Sequence, residues 1–180
     1  TSYHVVVLRC SVPPGTTRDV VVPEIERVSG KVLGRDFGIC FNPEFLREGA
    51  ALADARQPDR VVVGAADPAL YALARALYGG METKFYETGI RTAELIKTAN
   101  NAMFSICISF ANEIARLAAA TDGADASDVF EAIHLDWRFG AAATAGIADY
   151  FLPGPGFGGS CLGKDLAALA AFASARDQEA

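Results

Sequence analysis

Residues 1–87 predict an α/β architecture with a mostly parallel sheet, and residues 88–180 predict an all-α part built on one long helix. Three observations lead there. Short β-branched runs alternate with helix-forming stretches in the first half, which is the pattern of strand–helix–strand units. Nothing between residues 88 and 121 breaks a helix. A glycine-rich loop then delivers a cysteine, Cys161, to the start of a further helical segment.

The first strand is expected at residues 3–8 (YHVVVL), a β-branched run of the kind buried in parallel sheets. Ser11-Val12-Pro13-Pro14-Gly15-Thr16-Thr17 is a turn, and Thr16 or Thr17 can cap a helix over 18–28. Pro23 predicts a kink or a late start there. Residues 36–41 (DFGICF), 60–64 (RVVVG) and 84–87 supply three more strands. Asp67-Pro68 opens a helix to about residue 78, with proline at its first position. The long helix over 88–121 is stopped by Asp122-Gly123 and would span about 45–50 Å. Its Leu95, Ile96, Met103, Phe104, Ile106, Ile108, Phe110 and Ile114 point several ways. That distribution predicts burial on more than one side, at a domain junction, a subunit interface or both. Helices are expected over 126–133 and from after Cys161 to about 175, with 137–155 a loop that is partly helical.

The 180 residues are 51% apolar and 21% charged, enough for a substantial core. A net charge of -6 without a basic run argues against a general nucleic-acid role, which needs cations to neutralise phosphates. Cys10, Cys40, Cys107 and Cys161 are widely spaced and form no CxxC pair, so they read as reduced thiols. His4 and His134 do not stand at ligand spacing from a cysteine, and no metal site is expected. The apolar stretches are broken by polar residues short of a membrane span, and no signal-peptide pattern appears. A cytoplasmic enzyme that spans no membrane is the expectation. The chain opens on Thr1 rather than methionine, as a piece of a longer protein would.

Three segments carry chemistry. In 154–165 (GPGFGGSCLGKD), a cysteine at the mouth of a helix meets unpaired N–H groups and the positive end of a dipole, which favour the reactive thiolate. Lys164 adds positive charge, and Asp165 follows one turn on. A glycine-rich turn with a buried, inert cysteine is the plainer reading. Asn42-Pro43-Glu44-Phe45-Leu46-Arg47-Glu48-Gly49 follows a strand end, where open α/β sheets bind ligands. A helical turn would bring Glu44 and Glu48 to one side; a solvated charged turn is the alternative. On the long helix Lys97 and Asn101 share a face that Asn112 extends, unless that face is an ordinary exposed stripe.

Together, NPEFLREG, ELIKTANN followed by FANEI, GPGFGGSC-L-x-KD and the opening RCSVPPGTT resemble the UDP-glucose/GDP-mannose dehydrogenase family of nucleotide-sugar 6-dehydrogenases. The likeness runs in order over residues 5–165. It implies that residues 1–87 are the C-terminal part of a Rossmann-like NAD-binding domain and 88–180 a central helical dimerisation domain. It implies oxidation of a C6 alcohol to a carboxylate with two NAD per turnover and no metal. Cys161 would be the nucleophile, forming a thioester after the second hydride transfer. Lys97 and Asn101 would stabilise the oxyanion at C6. Glu44 would assist thioester hydrolysis, and Asp165 would order water. Phe45, Leu46, Arg47 and Glu48 would line the sugar-nucleotide site, with Glu48 also near the nicotinamide. Asn112, Tyr150 and the loop 153–157, Gly156 included, would be further substrate contacts; Ser11 and Lys164, beside Cys161, would touch the cofactor. A homodimer through the long helix is implied too.

The chain also departs from the family pattern. Ser11 stands for a threonine and keeps its hydroxyl. Gly163 replaces a proline, which loosens the start of a helix by about 1 kcal/mol. Leu152 and Phe104 replace polar residues of the GDP-mannose subgroup. Residues 135–140 (LDWRFG) resemble the UDP-glucose enzymes, whereas SGKVLGRDFG leans to the GDP-mannose side, and the base stays open. No Gly-x-Gly-x-x-Gly stands between a strand and a helix, so the pyrophosphate site is expected outside this chain. Two other readings are a 3-hydroxy-acid dehydrogenase-like enzyme, which needs no thiol, and an inactive helical dimerisation module.

Overall fold

A computed structural model describes residues 2–136 and 147–178. The chain forms two compact units, residues 1–99 with 171–180, and residues 100–170. Both boundaries fall inside helices.

The first unit is built on a four-stranded sheet of β1 (His4–Leu8), β2 (Phe37–Phe41), β3 (Arg60–Ala65) and β4 (Lys84–Thr88), in that spatial order. It is α/β as expected, but the sheet is mixed. β1 pairs with β2 and β3 with β4 in parallel, while β2 meets β3 antiparallel. That middle pairing is narrow: only Cys40↔Ala65 and Phe41↔Gly64 are in register, at the strand tips. Asn42 continues the join with its side chain, donating Nδ2 to Val62 O at 2.8 Å and accepting the Tyr78 hydroxyl at Oδ1. Both halves of a buried amide are thus satisfied, as burial requires.

Strand alternation sorts the core onto two faces. Phe37, Ile39, Phe41 and Val62 pack with Val22, Ile90 and Ala93 on one side. Cys40, Val61, Val63 and Ala65 pack with Leu70 and Ala74 on the other. Leu70 and Ala74 belong to α3 (Pro68–Leu77), whose start is capped by Asp67, its side chain accepting from Ala69 N at 2.9 Å. Ile90 and Ala93 begin α4 (Ile90–Ala119), which crosses β3 at Gly64. A Cβ at Gly64 would lie 2.6 Å from Ala93 Cβ and 2.8 Å from Ile90 Cα, so only glycine permits that approach.

The helix expected from residue 18 starts differently. A π-helical turn covers Thr17–Val21, and α1 proper is Val22–Ser29 with Pro23 in its first turn. Proline offers no N–H to the carbonyl four residues back, so the turn widens and Val22 N–H reaches Thr17 O instead. Neither threonine caps it: Thr16 makes no side-chain cap bond, and its hydroxyl donates to Pro13 O. The cap comes from α4, as described below. A short helix, α2 (Ala51–Arg56), lies before β3, in an alanine-rich stretch outside the elements expected from the sequence.

The second unit contains the rest of α4, α5 (Ala126–His134, capped by Asp125), a 3-10 turn at Ile147–Tyr150 and most of α6 (Gly159–Ser174). α6 begins two residues before Cys161 rather than after it. The family-like segment 135–140 lies largely outside the described residues.

α4 buries Ile90, Ala93, Ala102, Cys107, Ala111 and Ala118 alongside polar residues. Its buried positions include Glu94, Lys97 and Thr98 in the first unit and Asn101 and Ser105 in the second. Of the large apolar residues expected to be buried, Leu95, Met103, Ile106 and Phe110 are exposed, as is Leu117, while Ile96, Phe104, Ile108 and Ile114 are half-buried. By length and composition α4 could also cross a membrane, contrary to the expectation from sequence. Single core helices pass the same test, and the protein contacts made by Glu94, Lys97 and Asn101 fit a core helix.

Candidate active site

In the first unit the site begins where β2 ends. Asn42 is locked into the sheet, and residues 43–47 leave it without forming a helix, so Glu44 and Glu48 are not placed by a helical turn. Glu44 folds back on its own loop, Oε2 accepting from Leu46 N at 2.8 Å, and Oε1 lies 3.4 Å from Lys97 Nζ. Arg47 holds the next stretch through Asp54, donating from Nη2 at 2.7 Å and from its backbone N at 2.8 Å. The Arg47 guanidinium, then the Arg47 N–H, keep the Asp54 carboxyl below its usual range. Leu46 and Glu48 are exposed.

Lys97 is only 5% exposed. Its ammonium meets the Glu44 carboxylate and stands 5.1 Å from the centroid of the Phe45 ring. Arg60 Cζ lies 4.1 Å from the same centroid. Two cations on one ring fix the position of Phe45, since each is drawn to the negative π cloud. A buried lysine with one carboxylate and one ring for company is costly to keep for stability alone. Such groups concentrate at functional sites.

The turn after β1 is held by a residue that local patterns do not reveal. Glu94 is wholly buried. Its Oε2 accepts from Gly15 N at 2.6 Å, and its Oε1 from Thr17 N at 2.8 Å and Thr17 Oγ at 2.6 Å. A lone acidic residue inside the apolar ELIK stretch was the only hint. Ser11, half-buried just past the end of β1, has no hydrogen bond from its hydroxyl among the described residues.

In the second unit Asp165 is buried and doubly engaged. Asn101 Nδ2 donates to its Oδ2 at 2.6 Å, and Lys164 Nζ stands 3.0 Å from its Oδ1. Cys161 lies one turn earlier on α6, exposed, in the first turn, where backbone N–H groups lack helical partners. Its sulfur is 3.8 Å from Ser160 Oγ. Cys40 and Cys107 are buried, and loss of water pushes both thiols up. Asn112 Oδ1 accepts from Gly154 N at 2.8 Å and pins the loop that Gly156 bends with a φ of 96°. Tyr150 stacks on Phe104, centroids 4.0 Å apart.

Within the first unit, then, Glu44, Phe45 and Lys97 come together. Within the second, Asn101, Lys164 and Asp165 form one group with Cys161 on the adjoining turn, and Asn112 holds the loop after Tyr150. Lys97 and Asn101 sit four residues apart on one continuous helix. The described residues contain no cluster of His, Cys, Asp and Glu suited to a metal.

Residues 1–82 match the NAD-binding domain of the UDP-glucose/GDP-mannose dehydrogenase family, and residues 91–180 match its central domain. The chain is 39% identical over 181 residues to the GDP-mannose 6-dehydrogenase of Azotobacter vinelandii, covering 100% of this chain and 40% of that one. It is 40% identical to the UDP-glucose 6-dehydrogenase AglM of Haloferax volcanii, with 98% and 40% covered. The structure of a UDP-glucose dehydrogenase from Pyrobaculum islandicum superposes with a TM-score of 0.87 at 40% identity, over 98% of this chain and 38% of that one. The chain thus spans about 40% of the length of the curated relatives it matches. With matches to both domains and the relatives' fold reproduced over nearly its whole length, this chain belongs to the UDP-glucose/GDP-mannose dehydrogenase family.

Proposed function

We propose that the full-length protein oxidises the C6 alcohol of a nucleotide sugar, UDP-glucose or GDP-mannose, to the uronic acid in two NAD-dependent steps. NAD, the cofactor of this family, accepts one hydride in each step when bound. The loop after β1 suits its nicotinamide half, because Ser11 offers an uncommitted hydroxyl beyond the C-terminal end of a parallel strand. The same turn is no cradle for the pyrophosphate, since the Gly15 and Thr17 amides are already taken by Glu94.

The chain's own side chains do the rest. Loss of a hydride and the hydroxyl proton leaves an aldehyde at C6. The Cys161 thiolate adds to that carbon, making the C–S bond of a thiohemiacetal. Departure of the C6 hydride and the O6 proton gives a thioester. Water attacks it, the C–S bond breaks, and the thiolate is restored as the carboxylate leaves. Lys97 and Asn101 stabilise negative charge on O6. Glu44 takes the proton of the attacking water, and Asp165 orders that water. Phe45, Leu46, Arg47, Glu48, Asn112, Tyr150 and Gly156 receive the nucleotide sugar; Glu48 and Lys164, beside Cys161, contact the cofactor.

What carries this reading is Lys97: a nearly inaccessible ammonium beside the Glu44 carboxylate, where the chain leaves β2. We assign residues 1–87 to the NAD-binding domain and 88–180 to the central domain, place the enzyme in the cytoplasm, and take the exposed apolar stripe of α4 as its homodimer face. The test is stoichiometry. Full-length wild type should form two NADH per acid with UDP-glucose or GDP-mannose, and Cys161→Ser should lose acid formation by about a thousandfold or more, as removal of a covalent nucleophile does. A Cys161→Ser enzyme that still makes acid at the wild-type rate would overturn the thioester route.

A further inference from the structure

We propose that Glu94 is a positioning residue, a buried carboxylate that ties the turn after β1 to the helix carrying Lys97 and so sets the cofactor-side loop relative to that lysine. The assignment of that loop to the cofactor rests on the function proposed above; the tie itself does not.

Three observations lead to it. Glu94 is wholly buried, and both its oxygens are used, against three donors from Gly15 and Thr17. A buried carboxylate persists only where such donors repay its lost hydration. The donors are also aimed deliberately. Gly15 has a φ of 102°, a left-handed conformation, and a Cβ there would sit 2.6 Å from Asp19 Oδ2. Finally, the partner is distant in sequence where a local one would serve. α3 and α5 are capped by Asp67 and Asp125, each two residues from the amide it accepts. The turn opening α1 has threonines at the corresponding place, yet it is served from 77 and 79 residues away. The helix that serves it bears Lys97 three residues further on. Arg91, on the same helix, adds an outer tie to Asp19 at 2.8 Å.

Glutamine at position 94 would keep the shape but set an NH2 group against backbone N–H donors. Full-length Glu94→Gln should therefore release the loop. Its KM for NAD should rise about tenfold, the effect of losing one hydrogen bond to a charged group, while KM for the nucleotide sugar stays near wild type. Thr17→Val, which removes one donor only, should shift KM for NAD in the same direction by less, and Thr17→Ser should restore it. A merely structural role would lower the active fraction and leave both KM values alone; that result overturns the proposal. Hydrogen exchange reads the tie without any turnover. The Gly15 and Thr17 amides should exchange about tenfold faster in Glu94→Gln, while the Val62 amide in the core keeps its rate. Unchanged exchange at 15 and 17 overturns the tie even if kinetics change. Wild type that reduces no NAD with any nucleotide sugar would end the functional reading, while the exchange result would still decide the tie.

Discussion

Glu94, Lys97 and Asp165 are charged residues that the protein hides, and each has partners whose geometry accounts for its burial. Cys40 is hidden in the other sense, as a neutral thiol inside the sheet core. Burial raises its pKa, so the folded protein holds its proton at a pH where the unfolded chain releases it. Stability is then unaffected below the ordinary thiol value, about 8.5, and falls as pH rises above it. Denaturant unfolding at pH 7 and pH 10 should show this loss, and Cys40→Ala should flatten the slope between the two. At this scale the motifs marked residues the structure pairs, Glu44 with Lys97 and Asn101 with Asp165, because each belongs to a short run of distinctive residue types. The role of Glu94 was not legible, because its donors lie in a turn 77 to 79 residues earlier and no local pattern marks the pairing.

Elements were readable where composition forces one answer. β2 is buried at all five positions, as its apolar run FGICF demands. α3 starts at Pro68 and α4 runs for 30 residues, both as their punctuation predicts. Ends were less legible. Pro23 signalled trouble in the first helix, but whether it would kink, start late or widen into a π turn depends on which carbonyls find other donors. α6 starts ahead of Cys161 because Gly159 can take the left-handed φ of 72° that turns the loop into the helix. The crossing of α4 over β3 gives a prediction of its own. Gly64→Ala would drive a methyl into Ala93 and Ile90, and neither backbone nor Cβ can rotate away. We expect a loss of about 1–3 kcal/mol, measured by denaturant unfolding, as for other overpacked cores. Gly30→Ala, with open space around it, should cost only its left-handed φ of 68°, about 1–2 kcal/mol or less.

At the scale of the molecule α4 stands out, a helix that buries small and polar side chains and leaves several large apolar ones exposed. Met103, Ile106, Phe110 and Leu117 are exposed at spacings of three, four and seven residues, the period of a helix seam. Such a stripe calls for a second surface, and a partner copy is the proposed one. Ile106→Asp with Phe110→Asp should convert a dimer into a monomer in sedimentation experiments while retaining helical circular dichroism; a variant that still sediments as a dimer would exclude this face. The α/β class and the long helix were evident from alternation and punctuation. The direction of β3 was not, because strand sense depends on where the intervening chain travels, and residues 42–59 carry no signal of that path.

That antiparallel join, two residue pairs and one amide wide, divides the sheet into two ribbons drawn from separate stretches of chain, 4–41 and 60–88. Each ribbon pairs its strands within its own stretch. Yet the first shares its core with Val62, Ile90 and Ala93 and its turn with Glu94, so it is completed only after the later chain has emerged. The segment 42–47 leads out from their meeting line, and so acquires its final path only when the later ribbon docks.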